Sequence, residues 1–517
     1  MNFLKKYRWL LLIIIAGAIL RLYNLTAISL WHDEAFSALL IRYPWGEMFH
    51  RIALDVHPPM YYVFLRFWHY IFGDSLWSLR GFSAVFSIGL IPLAYGFVKS
   101  AFKNEKAALV AALLIAVSPF QISFVTEARM YTMGAFFALL AAWALVRATA
   151  LQRDYYEGNG QAGLKQKFLL AYAIFALSTI IIIYTHYYLL FTASAICFYG
   201  LVYHVWAYRG QLKRYGWLIL SYAVMAAAYL PWLKVFLFQF RQVGGNYWIP
   251  PMDRWSIPDT IWNMLFGLYT GHIPSHLLLA LAVFLSLIIF YFILRRTGKF
   301  ETWLIILNIV APFAGALAFA FLADLRGQSS SVYLVRYFLF ASTFYLIAIA
   351  LWLSQFRPPA AAKILAVILL IINLYAYFRV WQAWDIKNHR GMAAAADYLA
   401  KNVEPQHKLY VGSSFEFFNF KYYNRTPVQS LLYSGGLTRV SQLPHYAGTA
   451  ILDDSDLLPD FKTATRNGDT VWLLWTTGFG GSKPQVPANW TQIDEHGYAD
   501  VRPYLGTWIV VDEYKVN

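Results

Sequence analysis

Several short segments of this chain place carboxylate, imidazole and guanidinium groups where apolar runs end. They are Trp31-His32-Asp33-Glu34, Asp55-Val56-His57-Pro58-Pro59, Glu127-Ala128-Arg129-Met130-Tyr131, Thr185-His186-Tyr187-Tyr188 and Tyr333-Leu334-Val335-Arg336-Tyr337. A carboxylate at Asp33 can take the proton of a hydroxyl as its oxygen attacks an electrophilic carbon, help worth typically about 10²–10⁴-fold in rate. Glu34 points elsewhere in either regular structure, which suits a structural or acceptor-orienting role. The same acidic pair also suits a helix N-terminus, where the macrodipole stabilises it.

The other segments carry paired readings too. Pro58-Pro59 stiffens the backbone and removes two N–H donors, so it either aims His57 at a phosphate or starts a helix with His57 in solvent. Asp55 has three roles open to it: holding the His57 ring, stabilising a reacting sugar, or capping that helix. Glu127 and Arg129 occupy a tight turn, where ionisable groups cost roughly 2.5–3.5 kcal/mol each at full membrane depth. Either they pair with each other or Arg129 meets a phosphate, which the planar guanidinium fits. Tyr131 follows in the same turn. His186 reads as a satisfied interface residue or as part of the site. Arg336 is the first choice for a second phosphate contact, against plain snorkelling. The catalytic candidates are therefore Asp33, Glu34 and Asp55. The donor-binding candidates are His57, Glu127, Arg129, Tyr131, His186 and Arg336.

The elements that position these residues must be largely membrane-spanning, because 59% hydrophobic and 13% charged residues over 517 positions cannot enclose one soluble core. The net charge of +15 is spread through short loops, which points to membrane orientation and away from nucleic acid. With Cys197 as the single cysteine, neither a disulfide framework nor a cysteine metal site is available. The 19% aromatic content fits interfacial belts and sugar platforms equally.

About eleven spans are long enough to cross hydrocarbon: 8–24, 80–98, 107–124, 130–147, 168–185, 187–207, 216–236, 276–294, 302–322, 334–353 and 362–380. The run 60–72 contains Arg66 and His69 and reads as an interfacial amphipathic helix. Lys and Arg fall in every second connection, which sets the N-terminus in the cytoplasm. Loops 25–79, 125–129, 237–275 and 323–333 and the region from 381 onward then lie outside. The first span reads as an uncleaved anchor despite its Ala-Gly-Ala. The segment 153–167, with Gly158, Gly160 and Gly163, reads as a flexible cytoplasmic loop.

Composition changes near 388, which divides the chain into a transmembrane catalytic domain, 1–387, and an extracytoplasmic α/β domain, 388–517, of about 130 residues. Within the latter, 391–402 reads as a helix, and 408–413, 449–452, 470–475 and 507–511 read as strands.

An enzyme whose polar groups face outward has no nucleotide sugar or ATP at hand. Its activated sugar must arrive on a carrier that crosses membranes, such as a polyprenyl phosphate. The acceptor would be a hydroxyl of a lipid, glycan or protein, the loop 237–275 with Tyr247-Trp248-Ile249-Pro250-Pro251 a lid over the donor. No resident cofactor is expected; a divalent metal requirement stays open. A polysaccharide polymerase or ligase, or a lipid-linked sugar transporter, are the competing classes. A polymerase or ligase would favour basic loops over an early Asp-Glu, and a transporter would keep its ionisable groups at mid-membrane.

The order Asp-Glu after the first span, Asp-x-His-Pro-Pro, Ser118-Pro119, Glu-Ala-Arg-x-Tyr and a late Arg-Tyr resembles the GT-C glycosyltransferases. The closest likeness is to the bacterial family 39 branch, related to protein O-mannosyltransferases and lipid A aminoarabinose transferases. The resemblance covers about residues 1–380 and is strongest over 20–135. It implies a mostly α polytopic fold in the bacterial cytoplasmic membrane, an inverting reaction on a polyprenyl-monophosphate sugar, a catalytic aspartate at Asp33, and a helical external loop over 40–79. The chain departs from protein O-mannosyltransferases at Met60-Tyr61-Tyr62, where they have Gly-Lys, and from aminoarabinose transferases at His57, where they have Lys. It has no β-trefoil-like repeat and no Trp-Trp-Asp motif of oligosaccharyltransferases.

Overall fold

The computed structural model describes residues 3–158, 162–243, 248–267, 274–325, 327, 331–356, 358–388, 390–478, 481–501 and 506–517. Tyr247 of the expected lid and Gly160 of the expected cytoplasmic loop lie outside the described residues.

A first helix, α1 (Phe3–Leu22), leads into three short ones, α2 (His32–Leu40), α3 (Trp45–Leu54) and α4 (Met60–Phe72). Long helices follow: α5 (Leu76–Phe102), α6 (Glu105–Val117), the short α7 (Pro119–Ser123), α8 (Tyr131–Glu157), α9 (Ala162–Ile183), α10 (Leu189–Ala207) and α11 (Gly216–Val243). After α12 (Ser256–Phe266) come α13 (His276–Thr297), α14 (Glu301–Asp324), α15 (Leu339–Leu353) and α16 (Pro359–Trp384).

Among the described residues nine helices are long and apolar enough to cross a membrane, ten if α6 and the segment Pro119–Thr126 count as one span bent by 48°. The bend has a local cause. Ser118 caps the short helix by accepting the amide of Gln121, and Pro119 supplies a first-turn residue that cannot continue α6. α1, with Lys5, Lys6, Arg8 and Arg21, is too charged to join the nine by composition, yet it packs on α5 and α6. Arg21 shows how: it is buried, and its guanidinium donates to Ser87 Oγ at 2.8 Å, Ala116 O at 2.7 Å and Ile115 O at 2.8 Å. Leu277, Phe284, Ile371 and Tyr375 lie on outer faces more than half exposed, so the bundle requires an apolar solvent.

The C-terminal part is α/β. Helix α17 (Gly391–Asn402) and helix α18 (Ser414–Tyr423) accompany six strands, β1 (Lys408–Val411), β2 (Leu431–Tyr433), β3 (Leu457–Leu458), β4 (Thr470–Thr476), β5 (Trp490–Asp500) and β6 (Thr507–Val516). Their order is β3-β2-β1-β4-β6-β5, parallel up to β4 and antiparallel from β4 through β6 to β5. The expected strand at 449–452 is absent: Gly448 turns the chain at φ +81° and Ile451 N–H returns to Gly448 O. Strand β5 escapes the sequence pattern because most of its side chains are exposed on an edge.

Candidate active site

Helix α2 follows α1 after a short loop and splits its two acids. Trp31 enters in extended conformation, and the helical rotation of about 100° per residue sends neighbouring side chains to different faces. Glu34 turns inward. It is fully buried in a two-point ion pair with Arg80 of α5, at 2.9 and 2.8 Å, and its Oε1 also accepts Ala128 N–H at 2.8 Å. Arg80 spends its remaining donors on Leu25 O, Ile28 O and Ser29 O. Glu34 therefore fastens α2 to α5, which fits the structural one of the roles open to it in the sequence.

Asp33 faces a polar hollow of about 60 Å³. Its Oδ2 accepts from Arg336 at 3.3 Å, across 303 positions of sequence. Arg336 sits in a single 3₁₀ turn, Val335–Phe338, at the head of α15, with its guanidinium 5.1 Å from the Trp31 ring centre and 6.0 Å from that of Trp248. Arg129 comes from the turn before α8. It donates to Asp33 O at 3.3 Å, Ser37 Oγ at 3.2 Å and Tyr62 OH at 3.4 Å. Burial opposes ionisation of Asp33, but Arg129 and Arg336, helped by His32 and His57, outweigh it and hold the carboxyl below its ordinary value.

His57 also lines the hollow, between Asp55 and Arg129. Its Nδ1 lies 2.9 Å from Asp55 Oδ2 and its Nε2 lies 3.2 Å from Arg129. A guanidinium only donates, so Nε2 accepts and Nδ1–H points to Asp55. The imidazole thus links Asp55 to Arg129, and the three side chains form one chain, Asp55–His57–Arg129.

Tyr131 joins the lining, with its ring 6.1 Å from His186. His186 lies just beyond, its Nδ1 accepting Tyr188 N–H at 3.1 Å and its ring 4.7 Å from Tyr337. Burial first, then His57, Arg129 and Arg336, depresses its pKa well below the ordinary imidazole value. Glu127 is buried and its carbonyl accepts from Ser83, but it is not among the residues lining the hollow. Among the described residues no group of three or more His, Cys, Asp and Glu converges as a metal site.

A second chamber, apolar and about 240 Å³, shares Val56, His57 and Tyr337 with the hollow. Its other walls include Phe191, Phe236, Phe240 and Phe319. Phe236 and Phe240 belong to α11 and Phe319 to α14, outer helices of the bundle. The sequence reading missed the wall that closes the hollow from the C-terminal part: His445, Tyr446 and Gly448. Nothing in local periodicity marks these residues, since they lie in a turn some 400 positions from Asp33.

This architecture is a known one. A family model described as dolichyl-phosphate-mannose-protein mannosyltransferase matches residues 56–233. The chain is similar to the apo crystal structure of ArnT from Cupriavidus metallidurans, with TM-score 0.61 and 12% identity over 98% of each chain. The same protein bound to undecaprenyl phosphate matches at TM-score 0.57, also with 12% identity and 98% coverage of each. The archaeal oligosaccharyltransferase AglB from Archaeoglobus fulgidus matches at TM-score 0.52 and 13% identity, over 91% of this chain and 70% of that one. No curated protein matches by sequence. The chain is a multi-pass membrane protein that shares the GT-C fold of these glycosyltransferases.

Proposed function

We propose that this chain is an inverting glycosyltransferase that moves a sugar from a polyprenyl monophosphate to a hydroxyl of a lipid, glycan or protein. The observation that carries the reading is the adjoining pair of compartments: a hollow holding Asp33, Arg129 and Arg336, continuous along Val56, His57 and Tyr337 with an apolar chamber. A carrier satisfies both at once, its tail in the chamber and its phosphate at the guanidiniums. The undecaprenyl phosphate held by ArnT supports the same class of donor.

In this reading the phosphate takes up the charge of Arg336 and Arg129 and draws Arg336 from Asp33. The carboxylate, relieved of part of its electrostatic restraint, becomes the stronger base when donor is present. It accepts the proton of the acceptor hydroxyl as that oxygen bonds to the anomeric carbon. The bond from that carbon to the phosphate oxygen breaks on the opposite face, and the carrier phosphate leaves with the bonding electrons. Arg129 and Arg336 meet the charge that develops on it.

The alternation of Lys and Arg along the loops supports an N-terminus in the cytoplasm, with the hollow and residues 388–517 outside. On that basis residues 1–387 form the transmembrane catalytic unit and 388–517 cover it. Asp33→Asn tests the reading, because it removes the base with little change of shape. Purified variant in lipid nanodiscs should lose about 10²–10⁴-fold in turnover of a polyprenyl-phosphate sugar; turnover near the wild-type rate would overturn the assignment. Mass spectrometry of the lipid that copurifies with the wild type would name the donor headgroup.

A further inference from the structure

One wall of the hollow comes from the C-terminal part, where a 3₁₀ turn, His445–Ala447, ends at Gly448. Its placement is over-determined. Gly448 holds φ +81°, and a Cβ there would stand 2.1 Å from the Phe418 ring. Phe418, on α18, packs 5.3 Å from His32 and 6.4 Å from Phe36 of α2. On the far side Arg51 of α3 donates to Ala450 O at 3.2 Å and to Asp453 at 3.0 Å. The turn is thus backed by α18, which packs on α2, and the chain just after it is tied to α3; it brings a half-buried imidazole and a half-buried phenol to the hollow that Asp33 lines.

Neither group carries the fixed positive charge that suits a phosphate. A phenol ring with a hydroxyl, beside an imidazole, is the equipment for a sugar: a flat apolar face for ring C–H groups and polar atoms for hydroxyls. We propose that His445 and Tyr446 are specificity-determining residues that hold the sugar ring next to the reacting carbon, which rests on the glycosyl-transfer reading above. The ring has two sources, the donor's own sugar and a sugar of the acceptor. In either case the C-terminal part selects the substrate, while α2, α8 and α15 supply the charges.

The test uses full-length protein in nanodiscs with undecaprenyl-phosphate glucose, mannose, galactose and 4-amino-4-deoxyarabinose, the best wild-type donor serving as probe. Donor hydrolysis without acceptor and transfer to a total envelope extract are measured for Tyr446→Ala, His445→Ala and Tyr446→Phe. A rise of about tenfold in the donor KM of both reactions, the value of one hydrogen bond or ring contact, supports a hold on the donor sugar. Unchanged hydrolysis with about tenfold more extract needed for half-maximal transfer supports a hold on the acceptor. In both cases Tyr446→Phe, which keeps the ring, recovers part of the loss, and binding of bare undecaprenyl phosphate stays as in the wild type. Gly448→Val, strained at its φ and pressed on Phe418, reproduces the defect. Wild-type constants in both alanine variants would overturn the proposal, as would an equal loss of bare-carrier binding. A wild type that neither turns over any of the four donors nor binds bare undecaprenyl phosphate fails at the earlier step, the transfer reading itself.

Discussion

Glu34→Ala should loosen the packing of α2 on α5 at a cost that Asp33→Asn, one residue away, does not incur. In the wild type both Glu34 and Arg80 are fully buried, joined by two charge-assisted hydrogen bonds, and Glu34 also accepts the amide of Ala128. Removing the carboxylate leaves a guanidinium charge sealed from water with three backbone carbonyls as its remaining partners. Breaking such a pair from one side costs about 3–5 kcal/mol. The double variant Glu34→Ala/Arg80→Met removes both charges, so it should be less destabilised than the sum of the two single changes, by about 1–3 kcal/mol. Unfolding in mixed micelles with increasing SDS, followed by far-UV circular dichroism, reads these differences. Asp33→Asn should shift the same curve by less than about 1 kcal/mol, because Asp33 is partly exposed and its partner Arg336 keeps three aromatic neighbours. A Glu34→Ala curve superimposable on the wild type would refute the tether and return Glu34 to the catalytic group.

Other outcomes follow from the same geometry. Asp33 is held below its ordinary pKa by Arg129 and Arg336 against the opposing effect of burial, so its carboxylate persists to lower pH than usual. The acid limb of kcat/KM should lie below the ordinary carboxylate range of about 3.9, and Arg336→Gln should move it upward; a limb that stays put would detach Arg336 from Asp33. The sign for stability runs the same way: Asp33 contributes above its unfolded pKa and ceases to as pH falls through the folded one. Leu190→Trp, which intrudes on the apolar chamber, should raise KM for an undecaprenyl donor about tenfold, the loss of roughly two buried methylenes. An unchanged KM would place the tail elsewhere.

Most of the spans, and the acid that faces the hollow, were legible in sequence because both leave one-dimensional marks: long apolar runs, and Asp33 shortly after the first of them. Assigning partners was harder. Arg336 could be nominated from its position before a span, yet its contact with Asp33 joins points 303 residues apart. For Glu34, a direction away from Asp33 was legible, but its partner was not: Arg80, hidden inside a long apolar helix, claims it. His57 was expected to face a phosphate; its two nitrogens are engaged instead by Asp55 and Arg129, a detail that depends on ring orientation. The turn 445–448 was least legible. Its residues have no periodicity, and the apolar run behind it, 449–452, imitates a strand.

The boundary between hollow and chamber makes the strongest argument about substrate class. Three residues, Val56, His57 and Tyr337, face both spaces, so the hollow and the apolar chamber adjoin. A free nucleotide sugar would fill the polar side and leave aromatic walls of α10, α11 and α14 against its charged phosphates. A plain lipid would fill the apolar side and leave Arg129 and Arg336 to Asp33 and the surrounding rings. Only a molecule with a long apolar tail, an anionic junction and a polar head meets all three surfaces in sequence. On the proposed reading the chamber takes the tail of a polyprenyl-phosphate sugar, and the hollow, with Arg129, Arg336, Asp33 and the 445–448 turn, takes its phosphate and sugar.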